Sequence, residues 1–243
     1  MRERIIFVLF FLCFFANSLF AQEAPVVVGA SSPLVADLVK NIGGKRVEIL
    51  LFPNWQKAKA FFWMGKDLEP KVYDSLLKIK DIPQEVLLGF IPRIDGNPYE
   101  YFDALAVKSF IYRVSKVLKL LDLAGEGYYQ RNLSRYSVAI EGTFREGKWS
   151  MARFKEKTVY TLSPHFSYLL KGLGLKEVRV SLENLSSVKG ILIDDPKNPL
   201  KEPVPKGVIL VRLLADLSGE VNTYLGLIKE NIVALSLAFS QLM

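Results

Sequence analysis

Residues Ala24–Pro53 read APVVVGASSPLVADLVKNIGGKRVEILLFP. Val26, Val27 and Val28 form a continuous apolar run, the pattern of a strand buried on both faces. Ser31 and Ser32 can cap a helix with Pro33 near its first position. Leu34, Leu38 and Ile42 fall at helical spacing, Gly43 and Gly44 end the helix, and Val47 to Phe52 is the next strand. Strand, helix, strand is a βαβ unit, which implies a parallel sheet.

The rest of the chain repeats this grammar. Ala60 to Met64 is expected as a strand, Gly65 as a turn and Pro70 to Ile79 as a helix. Val107, Phe110, Ile111, Val114, Val117, Leu118 and Leu121 mark one face of an amphipathic helix, which Gly125 and Gly127 break. A second helix carries Tyr129, Leu133, Tyr136, Ile140 and Phe144 on one stripe, which reads as packing. Polar residues 146–157 separate it from a second α/β unit. There Thr158 to Leu162 is a strand, Phe166 to Leu173 a helix, and Glu177 to Val180, Gly190 to Ile193 and Val208 to Leu214 are further strands. The segment DDPKNPLKEPVPKG (194–207) holds four prolines and must be loop. Val221 to Leu242 closes the chain as a helix buried through Leu225, Ile228, Ile232, Leu235 and Phe239.

The expected fold is therefore α/β: two βα lobes with parallel sheets, joined by a long helix, with a ligand cleft between them. The expected division is a signal peptide over 1–21, an N-terminal lobe over 22–126, a linking helix and boundary over 127–157, and a C-terminal lobe over 158–243. Ligands of such sheets sit beyond the carboxyl ends of the strands.

The N-terminus predicts the compartment. Arg2 and Arg4 precede the apolar run Ile5 to Phe15, and ANSLFA leads to Ala21. This is the three-part pattern of a secretory signal, too short for a comfortable membrane span. Cleavage after Ala21 is expected. Leu19, two residues earlier, is larger than signal peptidase prefers and leaves an uncleaved anchor open. The residues before Cys13 lack the small pair of a lipoprotein signal. Cys13 is the only cysteine, so the exported part holds no disulfide and no thiolate metal site.

The chain carries a net charge of +7, and removing residues 1–21 leaves 30 basic and 24 acidic residues. Lysines are scattered, so no nucleic-acid partner is expected. Contact with the membrane is expected only through the signal peptide or a membrane partner.

Six stretches resemble, in order, the zinc- and manganese-binding solute-binding proteins of ABC importers. They are residues 26–53; AFFWMGKDLEPKVYDSLLKI (60–79), similar to a strand, Asn-Gly-type turn and Leu-Glu-Pro helix; GNPYEYFDALAVKSF (96–110), similar to an Asn-Pro-His segment; LDLAGEGYYQRNLSRY (121–136), leading into the long helix; TLSPHFSYLLKGLGL (161–175); and LADLSGEVNTYLGLIKENI (214–232), with its aspartate strand and glycine turn. The resemblance implies a periplasmic binding protein that docks on an ABC transporter permease, with a small ligand or a divalent metal (zinc or manganese) as cargo. The family binds metal in the cleft, typically through three imidazoles and a carboxylate.

Carried over by position, the resemblance implies a degenerate site. Pro53 is followed by NWQKAKAFFWMG, so the segment of the first histidine is missing. Tyr99 stands at the second histidine and Ser163 at the third, while the carboxylate is kept as Asp216. Tyr99, Ser163 and Asp216 are thus the candidate ligand-binding residues, with Asp216 the candidate metal ligand. Asp216 equally suits a cap or loop hydrogen bond near Gly219. A phenol and a hydroxyl stay protonated at neutral pH, so this set is poor for tight metal binding. His165, the only histidine, lies two residues past the ligand position. Placed in the first turn of a helix, it is expected to point away from the cleft and not to serve as a ligand.

Residues 183–190 and 194–207 are short for parallel crossovers, which need a dozen or more residues and usually a helix. The lobes therefore look trimmed. The expected function is a solute-binding component with a reduced or altered metal site. The alternative is a non-transport periplasmic interaction protein that reuses the scaffold. Ser163, His165 and Asp216 invite a triad reading, but no Gly-x-Ser-x-Gly elbow is present, so no enzyme is expected.

Overall fold

The computed structural model describes residues 24–79, 82–155, 157–201 and 203–242; the signal segment expected over 1–21 lies outside them. The first sheet holds β1 (Val26–Ala30), β2 (Val47–Leu51), β3 (Phe61–Trp63) and β4 (Gln84–Val86). They lie in the order β2-β1-β3-β4, all parallel. Val26 and Val28 of β1 are buried and Val27 is half-buried, since the strand lies inside the sheet and is covered on both faces.

Helix α1 (Pro33–Gly43) begins as the serine pair predicts. The Ser32 hydroxyl accepts from the Val35 amide at 3.4 Å, and Pro33 starts the helix. It stops at Gly44, whose φ of 52° few other residues tolerate. Helix α2 (Pro70–Leu76) connects β3 to β4. Helix α3 (Ala104–Leu121) is capped by Asp103, which accepts from the Leu105 and Ala106 amides. The long α4 (Glu126–Met151) then links the two sheets.

The second sheet repeats the winding. Strands β5 (Thr158–Thr161), β6 (Lys176–Arg179), β7 (Gly190–Ile193) and β8 (Val208–Val211) lie parallel in the order β6-β5-β7-β8. Helix α5 (Ser167–Leu173) joins β5 to β6, and α6 (Tyr224–Ser240) follows β8. Among the described residues the two short connections hold no α-helix. A 3-10 turn at Leu182–Ser187 serves between β6 and β7, and a proline-rich loop serves between β7 and β8.

One continuous hydrophobic core contains residues of both lobes, from Val28 of β1 through Ile140 of α4 to Ile193 of β7 and Phe239 of α6. Helix α4 packs on α1 of the first lobe and on α5 and α6 of the second. The close approach of α4 to α6 requires Gly147: a Cβ there would lie 2.5 Å from Ile232 Cδ1 and 2.8 Å from Leu173 Cδ2. Asp37 of α1 also accepts from the Tyr224 amide at 2.8 Å, tying α6 to the first lobe. At the far end of α3, Asp122 accepts from Arg46 Nε and Nη2 at 2.6 and 2.7 Å and from the Tyr129 hydroxyl at 2.6 Å. The hydrogen bond with Arg46 holds its carboxyl well down, to about 2.

Candidate functional site

The parallel strands of both sheets deliver their carboxyl ends to one place, as open parallel sheets do. A cavity of about 220 Å³ opens there. Ser32 reaches it from the end of β1, Met64 from β3, His165 from β5, Pro196 and Lys197 from β7, and Ala215 and Asp216 from β8. Glu69, Tyr99 and Tyr101 complete the wall.

Tyr99 and Tyr101 are presented by a tight turn before α3. Asn97 holds that turn: its Oδ1 accepts from the Tyr99 amide at 2.9 Å, and its Nδ2 donates to Pro164 O at 2.5 Å. Between the two tyrosines Glu100 is fully buried, accepting from the Gly89 amide at 2.7 Å and from Arg93 Nε at 3.0 Å. The two phenol rings stand edge to face, 6.2 Å apart at 81°. Tyr101 donates its hydroxyl to Ala215 O at 2.7 Å, a bond that joins the lobes. Burial pushes the Tyr101 phenol far up, so it is a neutral donor.

Asp216 does two things. Its Oδ1 accepts from the Leu217 amide at 2.7 Å, a local loop bond, and the residue also lines the cavity. Glu69 faces it from the first lobe. Glu69 Oε2 accepts from the Met64 amide at 2.7 Å. Burial raises its carboxyl above the ordinary value, and the charge of Asp216 adds to the rise. Sequence reasoning passed over Glu69, although it sits in the Leu-Glu-Pro stretch. It also passed over Tyr101 and Lys197.

His165 departs from expectation. It lines the cavity instead of pointing away from it. The reason is local: Pro164–Phe166 form a 3-10 turn, and α5 starts only at Ser167, so the angular step of an α-helix does not apply. His165 is only 3% exposed and stacks on Tyr99, with centroids 3.5 Å apart. Burial, reinforced by the charge of Lys197, lowers its pKa to about 4, so the imidazole is neutral at pH 7. Ser163 lies between β5 and this turn, at the turn's N-cap, half-buried, and is not among the residues lining the cavity. No hydrogen bond joins Ser163 to His165 among the described residues.

Lys197 enters from the β7–β8 loop. Its Nζ lies 5.0 Å from the centroid of the Tyr99 ring. The loop is pinned by Asp194, which is 3% exposed; its carboxylate accepts from the Asp195 and Leu200 amides at 3.0 and 2.8 Å and from Arg212 Nε at 3.1 Å. Asp195 Oδ1 in turn accepts from the Lys197 amide at 2.9 Å, a turn that aims Lys197. Among the described residues, no three His, Cys, Asp or Glu side chains converge in a way that could hold a metal ion.

The fold matches solved structures of metal-binding proteins. The manganese-bound periplasmic metal-binding protein of Candidatus Liberibacter asiaticus is 18% identical, with a TM-score of 0.68 over 86% of this chain and 98% of that one. The cadmium-bound form of that protein matches to the same degree. The metal-dependent lipoprotein YcdH of Bacillus subtilis is 17% identical, with a TM-score of 0.69 over 87% of this chain and 98% of that one. At such identities the likeness speaks for the fold. No curated protein matches the chain. The family model described as zinc-uptake complex component A, periplasmic, matches residues 52–190. Two parallel four-stranded sheets, a cavity at their common edge and a family match over more than half of the sequence agree: the chain belongs to the periplasmic zinc-uptake component family, which is a class of solute-binding proteins and not of enzymes.

Proposed function

We propose that this chain is the exported, periplasmic solute-binding component of a metal-type ABC importer, docking on its permease, with a binding cavity altered away from tight zinc or manganese binding. The observation that carries this reading is the donor set. Asp216 and Glu69 bring carboxylates to the cavity and His165 a neutral imidazole, yet these do not converge as a metal site. A closed zinc site takes four ligands of nitrogen, oxygen or sulfur at about 2.0–2.3 Å. Tyr99, where the family resemblance implies a histidine, offers an aromatic ring and a phenol in place of an imidazole.

The alternative is an interaction protein on the same scaffold, for which exposed apolar side chains would speak. Leu120 and Leu123 are exposed near the end of α3, and Trp149 is exposed near the end of α4. Trp149 lies most of the length of α4 from that turn, about 35 Å at 1.5 Å per residue, so these three do not form one patch. The transport reading is supported by the family match and by the cavity at the shared strand ends.

The test is a thermal melt of the chelator-treated protein with zinc or manganese. A metal bound only by the folded state raises the melting temperature once its concentration passes its dissociation constant. The expected result is no saturable shift below about 100 μM of either metal. A shift saturating at about 1 μM or less, and lost in Asp216→Ala, overturns the altered-site reading.

A further inference from the structure

The cavity carries a better account of its own chemistry than a weakened metal site. Tyr99 presents the face of its ring to the Lys197 ammonium, 5.0 Å from the centroid. Tyr101 stands perpendicular to it as a second aromatic wall, fixed by its bond to Ala215. His165 stacks on Tyr99 and, being uncharged, adds no positive charge. Glu69 and Asp216 bring carboxylates to the same cavity, and the charge of Asp216 helps raise the Glu69 carboxyl. Aromatic faces with carboxylates nearby are how proteins recognise ammonium groups, through the ring quadrupole and through charge.

Lys197 shows that such a group fits. Its residue is exposed to solvent, and among the described residues its ammonium forms no ion pair. It rests on the ring as a tethered occupant that a free ligand can displace.

We propose that the cavity binds a small organic ammonium compound, whose charged head takes the place that Lys197 holds over Tyr99, in a cavity that Glu69 and Asp216 also line. This rests on reading the chain as a solute-binding component, and it names the class of solute. Lys197 then acts as a built-in competitor that sets the affinity.

The test is calorimetric titration and thermal melting of the purified protein with choline chloride and putrescine dihydrochloride, with sodium chloride at matched ionic strength as control and zinc chloride in parallel. The expected result is a saturable response to at least one ammonium compound and none to sodium. Lys197→Met should tighten that binding roughly tenfold, because the internal competitor is gone. Tyr99→Leu should weaken it roughly tenfold, the scale of a cation–π contact. No saturable response up to about 10 mM in both the parent and Lys197→Met overturns the proposal, as does binding that Tyr99→Leu leaves unchanged. The zinc arm keeps the two readings apart. Submicromolar zinc binding overturns the altered-site reading, whereas silence toward both zinc and ammonium overturns this proposal and leaves the altered site standing.

Discussion

The two lobes have the same strand order but close it differently. In the first, the connection from the third strand to the fourth contains α2, and Glu69 sits just before its first residue. In the second, the equivalent connection, residues 194–207, has no helix among its described residues and brings Lys197 to the same cavity. One connection thus supplies an acid and the other a base, at matching places in two matching sheets. The same strand order forms with a helix in this connection and, among the described residues, without one. What the helix would have fixed passes to a single buried carboxylate, Asp194.

That difference can be broken from either side. The largest effect is expected for Asp194→Ala. It leaves three donors without their buried acceptor, so thermal or urea unfolding should show a loss of about 3 kcal/mol. The first lobe should resist the corresponding insult. Pro70→Gly at the start of α2 removes only a helix-starting preference and should cost about 1 kcal/mol in the same assay.

Acid provides a subtler contrast. His165 is buried neutral with a pKa of about 4, against about 6.5 when unfolded. Between these values the unfolded chain binds the extra proton, so stability is full above about pH 6.5 and falls as the pH drops toward 4. After allowance for screening the loss is on the order of 2 kcal/mol. His165→Phe should flatten that part of the curve, read as midpoint against pH. Asp122 titrates lower. Its depressed pKa stabilises the fold above about pH 4, and that contribution fades as the pH falls toward 2.

The smallest effect is expected at Glu69. Its carboxyl is raised, so its protonated form favours the folded state, and this advantage is lost as the pH rises through the folded value. Glu69→Gln keeps an acceptor for the Met64 amide and removes the charge facing Asp216. At pH 7 it should change stability by less than about 1 kcal/mol, with any change in the stabilising direction. A marked loss would mean that the acid of the first lobe is as structural as Asp194 is in the second.

Much of this was legible from residue patterns. The valine run of β1, the Ser-Ser-Pro start of α1 and its paired glycines act locally, so short-range rules reach them. Tyr99 and Asp216 were placed by the family resemblance, and both line the cavity. His165 was misread because its direction depends on whether Pro164 opens a 3-10 turn or an α-helix, a choice made by packing. Lys197 was out of reach for a related reason. A loop without periodicity has no face, and only the bonds of Asp194 and Asp195 decide where its side chains go. Glu69 carried a signal, as an acid beside a helix-opening proline at the end of a strand.

The shared core of α4, α1 and α6 has a further bearing. Many two-lobed proteins report their contents by folding at the waist, and a transporter can sense that change in outline. Here the waist is filled with packed side chains, so bending one lobe toward the other would have to break a close-packed core.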